Sequence, residues 1–363
     1  RIDLRATLSD PGLQPLQLVL QGRAGADAQA ARWALDGRMN DSPFDSNGQA
    51  QLAGARPEIQ AQARFDSLDL NRLLAPEKPA PTAPAASDTP VRMDALDAVD
   101  GRFTVAVETL AWRQYRVTGM KAEATLTQGR LDLQRLAGRS WGGNIVASGH
   151  AIAASQALAI KLEAEGVDVQ ALLKDVAGKD LLEGRGRVQA DVTTSGANIG
   201  AMRSQLAGRV AIQVRDGAVK GLNLARAMRQ ARAALSGQQD ALSQAKATEK
   251  TDFTELSASA RIASGVAHSD DLDLKSPYLR IGGAGRFDIG QGRIDYTARA
   301  TVTASPAGQD GAELRALRGV TVPVVLSGPF DAIDWRIQWS GVAAAALENK
   351  LHRAPTDEEM AKD

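Results

Sequence analysis

Leu158-Ala159-Ile160-Lys161-Leu162-Glu163-Ala164-Glu165-Gly166-Val167-Asp168-Val169-Gln170-Ala171-Leu172-Leu173 is the stretch that decides the fold of this chain. Its first half alternates apolar and polar residues with a period of two, which gives a strand one apolar and one wet face. At Asp168 the period changes and a short leucine-bearing helical run begins. The same device stands earlier, in Phe65-Asp66-Ser67-Leu68-Asp69-Leu70-Asn71-Arg72-Leu73-Leu74, and a looser third copy is Leu222-Asn223-Leu224 leading to Met228. A strand-to-helix unit repeated between alternating runs describes an elongated β structure built by addition, with function along a surface.

Working outward, the period of two recurs in Val188-Ala190-Val192, Val210-Ile212-Val214, Ile294-Tyr296-Ala298-Ala300-Val302 and Trp335-Ile337-Trp339. Turn residues punctuate these runs: Gln128-Gly129, Asp216-Gly217, Ile281-Gly282-Gly283 and Gly290-Gln291-Gly292. Spacings of roughly 8 to 12 residues between turns predict antiparallel meanders. The fold class read from this is mainly β: an elongated, curved antiparallel sheet forming a groove, with a few short helices. Residues 75–90, rich in Pro and Ala and without apolar periodicity, read as a linker. They separate an N-terminal β repeat (1–74) with a truncated start from a C-terminal β domain (91–354), followed by a disordered tail (355–363). Asn223 is a good N-cap for a helix through Leu224, Met228, Ala231 and Leu235 with Arg226, Arg229 and Arg232 turned away, and a second helix is expected from Val342 to Leu351. The first reads as a docking helix or as a basic face for an anionic membrane; its narrow, Ala-rich stripe favours docking.

The chain has 363 residues, 34 of them Gly, with 43 Lys plus Arg against 43 Asp plus Glu and no Cys. The balance removes a general electrostatic footprint for nucleic acid. Without cysteine there is no disulfide, thiolate nucleophile or thiolate metal site, and both a Gram-negative periplasm and a cytosol suit it. No stretch is apolar for the length of a membrane-spanning helix. The opening Arg1-Ile2-Asp3 already reads as a strand in progress, so the chain is expected to be a piece of a longer protein.

Catalytic and metal chemistry find little support. His150, His268 and His352 lie in separate segments with no further ligand at metal spacing, so neither a metal nor a cofactor is expected. Asp270, Asp271 and Asp273 lie where alternation makes Asp271 and Asp273 a solvent face. Gly282-Gly283-Ala284-Gly285 lacks the helix a phosphate loop needs and reads as a turn or bulge. Ser140-Trp141-Gly142-Gly143-Asn144 is a turn between strands and not a nucleophile elbow. The chain is therefore read as a non-enzyme.

Several ordered signals carry a family resemblance: Gly129-Arg130-Leu131-Asp132-Leu133, then Trp141-Gly142-Gly143-Asn144 and Ser148-Gly149, Gly166-Val167-Asp168-Val169 and Leu182-Glu183-Gly184-Arg185-Gly186. They continue through Asp216-Gly217-Ala218-Val219-Lys220-Gly221, Leu272-Asp273-Leu274-Lys275-Ser276-Pro277 and Val322-Pro323-Val324 to Leu326-Ser327-Gly328-Pro329-Phe330. In this order they resemble the C-terminal region of the AsmA-like envelope proteins of Gram-negative bacteria, over roughly residues 34 to 353. The resemblance implies an inner-membrane anchor at the N-terminus, missing here, and a periplasmic body of strands rolled into a groove. It also implies phospholipid transport between the membranes or outer-membrane assembly, with acyl chains and an outer-membrane or envelope protein as partners.

A sheet face lined with Val, Ile, Leu and Ala must be covered by helices, a second sheet or acyl chains, and the helical content is small. Some 16 to 20 strands at about 4.8 Å would make a trough of about 75–95 Å. The expected groove-lining residues are Ile160, Leu162, Val188, Val192, Val210, Ile212 and Val214, which are the largest residues on one face of neighbouring runs. The alternative is an envelope scaffold with a closed β core and no lipid cargo.

Overall fold

The computed structural model of the protein describes residues 2–8, 16–73, 89–112, 114–178, 180, 182–220, 250–277, 279–303, 319, 321–330 and 332–338. Among the described residues, eighteen strands form an open sheet, accompanied by a few short helices. The predicted helices at 223–235 and 342–351, the tail and most of the Pro/Ala-rich stretch lie outside the described residues. The chain divides into two compact units: residues 1–178, 186–210 and 262–265 make the first, and 179–185, 211–261 and 266–363 the second.

The first unit holds β1 (Ile2–Leu8), β2 (Leu16–Ala26), β3 (Ala30–Met39), β4 (Ser42–Gln51), β5 (Glu58–Asp69), β6 (Asp100–Trp112), β7 (Tyr115–Thr127), β8 (Arg130–Ser140), β9 (Gly143–Ile152) and β10 (Ala157–Asp168). Each strand pairs with the next, antiparallel throughout except for β5 and β6, which run parallel in register from Glu58↔Asp100 to Asp69↔Ala111. Three of the hairpins turn on paired residues with positive φ: Asn40-Asp41, Gln128-Gly129 and Trp141-Gly142. Two such residues make the turn whose twist matches that of the flanking strands. The anticipated turns at Gln128-Gly129 and Trp141-Gly142 therefore stand where the sequence placed them.

Two helices follow strands directly, as the repeat requires: α1 (Leu70–Leu73) after β5 and α2 (Val169–Ala177) after β10. Asp168 caps α2, its carboxylate accepting from Ala171 N–H at 3.0 Å, and Gly178 in the left-handed conformation ends it. A third helix, α3 (Ile199–Ser204), follows the long strand β11 (Leu182–Ser195). The looser third copy of the repeat lies outside the described residues from Gly221 onward, after β12 (Ala207–Lys220).

The second unit contains β14 (Val266–Lys275), β15 (Leu279–Asp288), β16 (Arg293–Val302), β17 (Thr321–Pro329) and β18 (Asp334–Ile337), an antiparallel meander, together with most of β13 (Lys250–Ala263). Two of the turns expected from sequence are strand interiors. Ile281-Gly282-Gly283 and the following Ala284-Gly285 are not a turn but the middle of β15, and Asp216-Gly217 lies inside β12. The glycines make room for neighbours: a Cβ on Gly283 would stand 2.6 Å from the Tyr296 ring, and one on Gly217 would stand 2.1 Å from the Glu183 carbonyl. The irregularity falls instead on β14, where the register slips between Ser269 and Leu272.

Candidate functional site

Register converts the alternation into rows of side chains that cross the strands. In the first unit one row runs Leu35, Ser46, Ala63, Val105, Ala122, Leu136, Ala147, Leu162. The next runs Trp33, Gly48, Ala61, Phe103, Ala124, Leu133, Gly149, Ile160. Neither row contains an ionisable group across eight strands. Their members are half-buried, and Ile160 is 39% exposed. Phe44 and Phe65 stack at 5.5 Å on an adjoining row of the same face.

The opposite face is wet and charged. Lys161 pairs with Asp191 at 3.4 Å, Gln189 donates to Glu163 at 2.9 Å, and Arg187 pairs with Glu165, joining β10 to β11. These pairs fix which face of β11 is apolar: Val188 and Val192 alternate with Arg187, Gln189 and Asp191 and are half-buried. Exposed pairs of this kind contribute little to stability. Elsewhere Arg130 lies against Asp132 at 2.8 Å, and its guanidinium holds the Asp132 carboxyl below the usual range.

The seven expected lining residues divide accordingly. Ile160 and Leu162 end the two rows on β10, directly opposite Gly149 and Ala147. Val188, Val192 and Val210 are half-buried in the first unit, with Val192 next to Gly208 of β12. Ile212 and Val214 belong to the second unit, Ile212 half-buried and Val214 fully buried.

The bulkiest part of the first unit's face, Trp33, Phe103 and Leu133, was not singled out from sequence. On β8 the pattern is interrupted, because Gln134 and Arg135 both turn outward at a bulge between Leu133 and Leu136. On β3 the signal was present as Trp33-Leu35 but short.

At one strand end an aromatic cluster holds α2 in place. Trp141 accepts from Asp168 N–H through its carbonyl at 2.7 Å, while its indole N–H donates to the Asp175 carboxylate at 2.8 Å. Tyr115 and Gln114 donate to the Asp175 carbonyl at 3.1 and 2.7 Å, and Tyr115 meets Trp141 edge-on. Both ends of the helix are thus tied to the β8–β9 turn, which keeps Trp141 in a left-handed conformation that a tryptophan seldom adopts. Beside the helix Val167 and Val169 are fully buried, as are Val107 of β6 and Ala164 of β10.

The second unit presents the contrasting face. Leu274, Ile281, Ala300 and Val322 form one row across β14 to β17, and Ala298 and Val324 belong to the next. All six are buried, with Ala300, Val322 and Val324 wholly excluded from solvent. Tyr296 packs on Phe287 at 5.4 Å, and burial pushes its hydroxyl pKa up. On the solvent side Lys275 bridges Glu255 and Asp273, and the Lys275 ammonium holds the Glu255 carboxyl down.

Comparison with known proteins gives this arrangement a lineage. The AsmA family model matches residues 26–272. Protein AsmA of Escherichia coli strain K12 is 21% identical over 379 residues, covering 95% of this chain and 60% of that protein. The chain thus spans about three-fifths of the length of this curated relative. No solved structure matches it significantly. Among the described residues no helix is long and apolar enough to cross a membrane. The family match over more than half the chain, on a strand-dominated open sheet, establishes that this chain belongs to the AsmA family.

Proposed function

We propose that this chain shields phospholipid acyl chains on the half-buried apolar face of β2–β10 as they pass between the inner and outer membranes. Membership of the AsmA family supports a role in envelope assembly or lipid transport at the family level. The observation that carries the finer reading is the pair of uncharged rows crossing β3 to β10 with their side chains half open to solvent. Apolar surface left in that state gains about 25 cal/mol for each Å² that an acyl chain covers. The headgroup stays at the polar strand ends, in water. In this reading the full-length protein works in the periplasm, anchored to the inner membrane, and meets an outer-membrane or envelope protein. It performs no covalent chemistry and needs neither metal nor cofactor.

A specific observation favours the second reading for part of the molecule. The buried row Leu274, Ile281, Ala300 and Val322 of β14–β17 fits an envelope scaffold with a closed core and no cargo.

Native mass spectrometry and lipid extraction of the protein expressed in the periplasm of a Gram-negative host test the proposal. Copurifying phospholipid is the expected result. A folded, lipid-free protein moves the assignment to the scaffold.

A further inference from the structure

We infer that the apolar face of β6–β10 carries two discrete seats for acyl chains, one along β7 and one along β9, separated by a ridge on β8; this rests on the acyl-chain reading above. The inference comes from side-chain size within the rows. Phe103 and Val105 on β6, Leu133 and Leu136 on β8, and Ile160 and Leu162 on β10 stand high. Between them lie Ala122 and Ala124 on β7, and Ala147 and Gly149 on β9. Large and small strands therefore alternate in both rows. Adjacent strands lie about 4.8 Å apart, so each furrow separates ridges about 9.6 Å apart, enough for one alkyl chain laid parallel to the strands.

The occupant is set by charge and by what the chain leaves uncovered. Both furrows are uncharged along their floors, which matches a hydrocarbon chain and opposes any peptide or polar ligand. Ala122, Ala124 and Ala147 keep part of their surface in solvent, so the ridge side chains do not close over them. The comparable hollow on β4 is different. There the Trp33 ring lies against Gly48, 2.4 Å from where a Cβ would stand, and its indole N–H donates to Ser46 at 3.1 Å. That hollow is filled by the protein's own side chain, whereas those on β7 and β9 are not.

The consequence concerns movement. A chain sliding along the row direction must pass over Phe103, Leu133 and Ile160, whereas a segment resting on β7 lies over Ala122 and Ala124 between Met120 and Leu126, and one on β9 lies over Ala147 and Gly149 beside Ile145. Cargo on this part of the face steps from seat to seat.

The test uses vesicles of phosphatidylcholine carrying a diazirine at mid-chain, with cross-links mapped by peptide mass spectrometry. Wild-type protein is expected to label in two clusters, on β7 and on β9. Ala124→Leu fills the first furrow and lowers β7 labelling about tenfold while β9 labelling stays within about twofold; Ala147→Leu does the reverse. Leu133→Ala merges the two clusters. Thr125→Leu, on the wet face of the same strand, changes neither. Where Ala124→Leu does not fold, by circular dichroism, the smaller Ala124→Val gives the same selective loss. Even labelling across β6–β10, or parallel loss at both strands from one filling substitution, overturns the seats and leaves acyl binding standing. Absence of labelling on wild-type protein overturns both.

Discussion

Strands β6–β10 and strands β14–β17 are built from the same alternating code yet end in different states. In the later strands Val322 and Val324 are wholly buried and Leu274 and Ile281 almost so, whereas in the earlier ones Val105, Leu133 and Leu162 are half-buried and Ile160 is 39% exposed. The fate of the small residues matches the difference. In β14–β17 Ala298 and Ala300 are buried and Gly283 lies under the Tyr296 ring, while Ala122, Ala124 and Ala147 of the earlier rows keep part of their surface in solvent. A filled face contributes to stability and has little left to offer a ligand. An incompletely covered face forgoes some stability and retains apolar surface that a hydrocarbon chain can cover.

The largest effect should come from placing a charge on each face. Ile281→Lys buries an unpaired ammonium and is expected to unfold the second unit. Leu162→Lys leaves its charge access to water, so the fold survives while copurifying phospholipid drops. Circular dichroism and lipid extraction on both variants check this; unfolding of both would erase the contrast between the faces.

Truncation gives a graded version. Ile281→Ala should destabilise by about 2–5 kcal/mol, as a cavity-forming change in a closed core does. Leu162→Ala should cost less, about 1–2 kcal/mol, because that side chain is only partly buried and water can fill the space it leaves. Denaturant titration, with hydrogen exchange to locate the loss, separates the two.

Asp168→Ala removes the N-cap of α2 and should cost about 1 kcal/mol. The loss should register as faster exchange in α2 and around Trp141, with β14–β17 unchanged. Equal loosening of both regions would show that α2 is not a local element.

The smallest effect is a pH dependence confined to the closed face. Burial raises the Tyr296 hydroxyl pKa, so the folded state holds that proton more tightly than the unfolded chain. The stabilisation is complete below the unfolded value near pH ~10 and is lost as pH rises through the higher folded value. Thermal melts between neutral and strongly alkaline pH should show this decline in the wild type and a shallower one in Tyr296→Phe. An identical slope in both would assign the decline to other groups.

Much of the architecture was legible because strands and tight turns are local. Leu158-Ile160-Leu162 declared the apolar face of β10, Trp141-Gly142 the β8–β9 hairpin, and Asp168 the start of α2. Glycines misled where their reason was a distant neighbour. Gly283 and Gly285 looked like a turn and are instead the floor beneath Tyr296, a residue brought to them by the pairing of β15 with β16. Leu133 was overlooked because the β8 bulge breaks the period of two, and a bulge is recognised only against the partner strand.

Alternation along the chain was enough to specify a strand-dominated sheet with one apolar and one charged face, because side-chain direction alternates along every strand. Which strands lie side by side, the parallel pairing of β5 with β6 across the Pro/Ala-rich stretch, and which apolar face is closed emerge only in the folded chain. Those outcomes depend on register, which sums weak contacts between residues far apart in the chain and leaves no mark in any single stretch of it.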